Sequence, residues 1–107
     1  MKRIVAYKSY YEDFMASLHR EEQLKIRRVL ALFSTEDRVP HHFIKYIGDA
    51  LYELRITLPN REARIFFTYD GDTMVVLFNC FLKKTQKIPK KEIEKAQRLK
   101  KEYDESK

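Results

Sequence analysis

Apolar positions along this chain change their spacing in step with the elements they predict. Ile4 to Tyr7 is a short apolar run and reads as a first strand. Tyr11, Phe14, Met15 and Leu18 then recur at i, i+3, i+4 and i+7, and Ile26, Val29, Leu30 and Phe33 repeat that spacing. The polar stretch from His19 to Gln23 separates the two sets, which predicts a helical hairpin or one kinked helix ending near Ser34. Residues 35 to 50, with Pro40 and Gly48, read as loop. From Leu51 the period becomes two: Tyr52, Leu54, Ile56 and Leu58 share one face, and Glu53, Arg55 and Thr57 the other. Pro59-Asn60 marks a turn, Glu62 to Tyr69 a strand, and Asp70-Gly71 a tight hairpin. Thr73 to Phe81 is nearly all apolar, as in a strand covered on both faces. Pro89 opens a last helix with Ile93, Ala96, Leu99 and Tyr103 on one stripe. The order β-α-α-β-β-β-α predicts one α+β domain over residues 1–107. In it, an N-terminal helical hairpin and a C-terminal helix pack on a mostly antiparallel four-stranded sheet.

Composition narrows the function. Two glycines in 107 residues exclude a Gly-rich phosphate loop. A single cysteine, Cys80, excludes an internal disulfide framework, and its apolar strand makes it a core residue rather than a nucleophile. No stretch is apolar enough to span a membrane and Met1 to Ile4 has no signal-peptide core, so the expected location is the cytoplasm. His41-His42 has no cysteine or carboxylate at ligand spacing, so no metal is expected, and no cofactor motif is present.

Charge changes the picture when placed along the chain. Residues 83 to 101 hold nine Lys/Arg and two Glu, whereas the other 88 residues hold thirteen basic and fourteen acidic side chains. The whole net charge of +6 therefore sits in one segment, the footprint of a polyanion partner. A turn centred on Pro59-Asn60 sets Arg55 opposite Arg64, and two facing guanidinium groups have the shape of an anion site. The other reading of that face is a solvated one, with Glu53 and Glu62 forming salt bridges. Past the apolar strand come Lys83, Lys84, Thr85, Gln86 and Lys87, with Tyr52, Phe66, Phe67, Tyr69 and Phe81 interleaved among the charges. Cations mixed with rings suit single-stranded RNA. Any nuclease chemistry here rests on lysine and arginine: the RNA 2′-OH attacks the adjacent phosphorus and the protein stabilises the phosphorane.

The runs Leu51-Tyr52-Glu53-Leu54-Arg55, Arg64-Ile65-Phe66-Phe67 and Phe81 to Pro89, followed by Glu92-Ile93 and Ala96, resemble the phage-derived, HigB-like branch of the RelE/ParE toxin superfamily. The resemblance covers about half of the chain. It implies a RelE-like fold and the toxin of a type II toxin–antitoxin system. The activity implied is a metal-independent endoribonuclease that cuts messenger RNA in the ribosomal A site and inhibits translation. A co-encoded helix-turn-helix antitoxin of the HigA kind is implied as partner. Carried over by motif, Arg55, Arg64, Lys83 and Lys84 are the catalytic residues, and Glu53, Phe66, Gln86 and Lys87 bind substrate. Several RelE members place a tyrosine near the chain end, for which Tyr103 is the nearby candidate, though no motif anchors it. The rival readings are a ParE-like toxin that inhibits DNA gyrase by binding, and a phage-derived nucleic-acid-binding domain without catalysis.

Overall fold

The sequence folds into eight elements: β1 (Arg3–Ala6), α1 (Tyr10–Ala16), α2 (Arg20–Thr35), β2 (Ile44–Gly48), β3 (Leu51–Thr57), β4 (Glu62–Asp70), β5 (Met74–Lys83) and α3 (Lys90–Glu105). This is a computed structural model, and it describes residues 1–35, 43–84 and 89–107. The α+β class and the two helical regions are as the periodicity predicts. One sheet has the order β1-β5-β4-β3-β2, with β1 parallel to β5 and the other neighbours antiparallel.

The strand count differs from the sequence expectation of four. Within the segment read as loop, Ile44–Gly48 forms β2 and pairs with β3 as the outer strand. The turn between them is Asp49-Ala50, both at positive φ (51° and 61°). That geometry matches the twist of paired strands, yet alanine stands where a glycine ordinarily signals it.

Alternation along the strands builds two cores. Tyr52, Leu54, Ile56, Ala63, Ile65 and Phe67 pack with Met15, Leu18, Ile26, Leu30 and Phe33 of the helical hairpin and the Ser17–His19 corner. Leu51, Phe66, Val76 and Phe78 face the other way, against Ala96 and Leu99 of α3. A kinked polar corner joins α1 to α2: the His19 backbone N–H donates to Glu22 Oε1 at 3.0 Å, and Gln23 Nε2 donates to the Met15 carbonyl at 2.7 Å. Arg61, in the β3–β4 turn, grips both Glu22 oxygens at 2.7 Å. The hairpin tip is thereby tied to the start of α2.

One irregularity decides which β5 residues share a face with the arginines of β3 and β4. Between Ile65 and Phe67 the β4–β5 register shifts, so Phe78 and Asn79 of β5 both stand opposite Phe66. Such a bulge reverses the parity of the strand beyond it. Val75 and Leu77 share a face with Cys80 and Leu82, while Val76 and Phe78 share theirs with Phe81. The extra residue is used: Asn79 Nδ2 donates to the carbonyl and to the carboxylate of Glu92, both at 3.0 Å, fastening the first turn of α3.

Candidate nucleic-acid interface

The β3–β4 register sets Arg55 directly opposite Arg64, with Glu53 opposite Phe66 and Thr57 opposite Glu62. On the next strand Arg64 is level with Phe81, and Glu62 with Lys83. The bulge thus brings Phe81 and Lys83 onto the arginine face. Three cations (Arg55, Arg64, Lys83) and two carboxylates (Glu53, Glu62) occupy neighbouring positions on three adjacent strands.

Their environments differ sharply. Glu53 is fully buried, and its Oε1 accepts from Arg55 Nε at 3.2 Å. Its Oε2 lies 3.8 Å from Arg64 Nε, too long for a hydrogen bond, and neither atom has another partner among the described residues. Arg64 is only 5% exposed, while the Arg55 side chain is 40% exposed. Arg64 NH2 donates to Glu62 Oε2 at 3.1 Å and NH1 donates to the Ala63 carbonyl at 3.2 Å. A buried carboxylate beside two guanidinium groups offsets the repulsion that facing arginines otherwise create. The ion pairs to Glu53 and Glu62 form, as the salt-bridge reading of this face expects, but not on a solvated surface: Glu53 and Arg64 are buried, and of the two arginines Arg55 is the accessible one.

Lys83 is half-buried at the end of β5, and Lys84 is exposed just past it. Gln86 and Lys87 lie outside the described residues, as do Thr85 and His41-His42. Phe66 requires a correction. It has no exposed surface and stacks on Phe81 at 5.8 Å between centroids, so its ring offers no face to a base; it lies beside Arg64 on the same face of the sheet, in the core that α3 covers.

Tyr103 belongs to a different place. Its hydroxyl donates to Asp70, at the far end of β4, six residues and about 20 Å along the strand from Arg64. That bond to Asp70, with burial, pushes the phenol up to about 12. Burial likewise pushes the Cys80 thiol up to about 12, which suits a core residue. Asn79 and the β5 bulge escaped sequence reasoning, because an asparagine inside an apolar run carries no sign of the helix it fastens. Among the described residues no helix is long and apolar enough to cross a membrane, and no group of three His, Cys, Asp or Glu side chains could hold a metal ion.

A mostly antiparallel sheet between a helical hairpin and a C-terminal helix, with a cationic cluster sharing one buried carboxylate, defines a small α+β protein. Residues 13–101 match the family described as phage derived protein Gp49-like (DUF891). The chain belongs to that family, which is one of RelE-like toxins. Among solved structures it is similar to the conserved hypothetical protein HP0894 from Helicobacter pylori, determined in solution. The TM-score is 0.49 at 12% identity, covering 77% of this chain and 94% of that one. A comparison with the curated proteins finds no match.

Proposed function

We propose that this chain is the toxin of a toxin–antitoxin pair and that its arginine face cleaves RNA, in the manner of HigB-type toxins acting on messenger RNA in the ribosomal A site. The observation that carries the reading is Arg55 set against Arg64 around one buried glutamate, with Lys83 on the adjoining strand. Family membership supports the toxin class, and with it a partner antitoxin, for which a HigA-like helix-turn-helix protein is the proposed form.

The chemistry asks little beyond positioning and charge. The RNA 2′-oxygen bonds to the adjacent phosphorus and the P–O5′ bond breaks, leaving a cyclic phosphate and a 5′-hydroxyl. Arg55, the accessible guanidinium, grips a phosphoryl oxygen and stabilises the phosphorane. Arg64 adds its charge from below. Lys83 or Lys84 gives a proton to the leaving 5′-oxygen, and the 2′-hydroxyl proton passes to solvent. Gln86 and Lys87 extend the contact along the strand.

Regulated expression with primer-extension mapping of cellular messages tests this. Codon-phased cuts are expected, lost in Arg55→Ala and Lys84→Ala, with cyclic phosphate ends on the fragments. Growth arrest with intact messages and trapped gyrase indicates a ParE-like toxin instead. Normal growth with folded protein indicates a binding domain without catalysis.

A further inference from the structure

Arg64 raises a problem that its position opposite Arg55 does not solve. The residue is only 5% exposed and each nitrogen of its guanidinium already faces a protein oxygen: NH1 donates to the Ala63 carbonyl, NH2 donates to Glu62, and Nε lies 3.8 Å from Glu53. For this arginine to meet a phosphate, one contact must give way. The two carboxylates are not equivalent candidates. Glu53 has no exposed side-chain surface, and moving it strands a charge in the interior. Glu62 is 47% exposed, so water receives its carboxylate as soon as the contact breaks. Solvation offsets most of the attraction in an ion pair with so exposed a partner, which makes it the easy one to exchange. Carboxylate and phosphate oxygens also engage an arginine fork in the same way.

We propose that Glu62 is an internal stand-in for substrate phosphate. In the free protein its carboxylate occupies the outward edge of Arg64; on RNA binding a phosphoryl oxygen takes that place while Glu53 stays and keeps the guanidinium aimed. This inference rests on the RNA reading of the same face. Its consequence is a lowered affinity: an anion reaches that edge of Arg64 only by displacing Glu62, so every ligand that uses the edge is weakened by the same factor.

The test uses the full chain and a short single-stranded RNA carrying 2′-O-methyl groups, which cannot be cleaved, with affinity read by fluorescence anisotropy at fixed ionic strength. Glu62→Gln is expected to bind about three- to fivefold tighter than wild type. Glu94→Gln, at a 59% exposed position on α3, removes the same charge elsewhere and is expected to gain less than about twofold. With Arg64→Lys in place, the Glu62→Gln gain should shrink to that of the control. In wild type, inorganic phosphate should shift the Arg64 Nε–H signal in 15N NMR. Equal gains from Glu62→Gln and Glu94→Gln, or weaker binding by Glu62→Gln, overturn the proposal. If the folded wild type binds no RNA even at low salt, the RNA reading falls and this inference with it. If it binds and cleaves while Glu62→Gln behaves as wild type, only this inference falls.

Discussion

A carboxylate with no exposed surface is tolerable beside two arginines because each charge meets another. Removing Glu53 alone leaves Arg64 buried against an uncompensated gap, and Glu53→Ala is expected to lower stability by about 3 kcal/mol in urea unfolding. Replacing both partners by apolar residues, Glu53→Leu with Arg64→Met, should recover at least half of that loss. Phosphate binding should not return with it. That dissociation separates what the pair does for the fold from what it offers a ligand. Ala50 illustrates backbone strain at the same scale. It holds φ at 61°, fixed by Thr68 Oγ1 donating to its carbonyl at 2.6 Å and by its own N–H donating to the Tyr46 hydroxyl at 3.2 Å. Glycine adopts that conformation without a Cβ clash, so Ala50→Gly should raise stability by about 0.5–1 kcal/mol in the same experiment.

At the scale of elements, the tie between the β3–β4 turn and the start of α2 has a pH signature. Arg61 bonding, with the His19 backbone N–H, holds the Glu22 carboxyl down at about 2, against an ordinary 4.5. A carboxylate depressed in the folded state contributes its full stability above the unfolded value and loses it as pH falls toward the folded one. Melting temperature should therefore drop between about pH 4.5 and pH 2 more steeply in wild type than in Glu22→Gln or Arg61→Ala. Equal slopes in the three proteins would show that the tie is absent in solution. The elements also show what was legible in the sequence. A period of 3.6 located the helices, a period of two located β3, and apolar runs with turn signals located β1, β4 and β5, while the position of Pro59-Asn60 set the arginine register. β2 was hidden: five residues are too short to establish alternation, and its turn uses Asp49-Ala50 without the expected glycine. The burial of Glu53 was hidden too. Alternation places it on the polar face with Arg55, but that face also carries Leu51 and Phe66, which α3 covers, and Glu53 is enclosed beside them. The order of strands, with β1 lying parallel beside β5, is a long-range pairing that no local pattern records.

For the whole molecule, the decisive quantity is how the basic segment divides between fold and partner. Several of its cations have internal work: Lys100 bonds Asp104 at 2.7 Å, and Lys95 lies 4.5 Å from the Tyr10 ring centroid. Lys84, Lys91, Arg98 and Lys101 stand exposed, one past the end of β5 and three on α3. If an RNA strand crosses the arginine face, it runs past Lys84, whereas Lys101 lies eleven residues beyond Lys90, the first residue of α3, toward the far end of that helix. Neutralised phosphates release counterions, so log affinity should fall linearly with log salt, by about 0.7 per contact on single-stranded RNA. Lys84→Ala should reduce that slope by about one contact's worth, and Lys101→Ala should leave it unchanged. The reverse result, with Lys101 carrying slope and Lys84 none, would move the polyanion off the sheet and onto the C-terminal half of α3. The arginine pair would then be structural, because a strand held there cannot present its phosphate to Arg55.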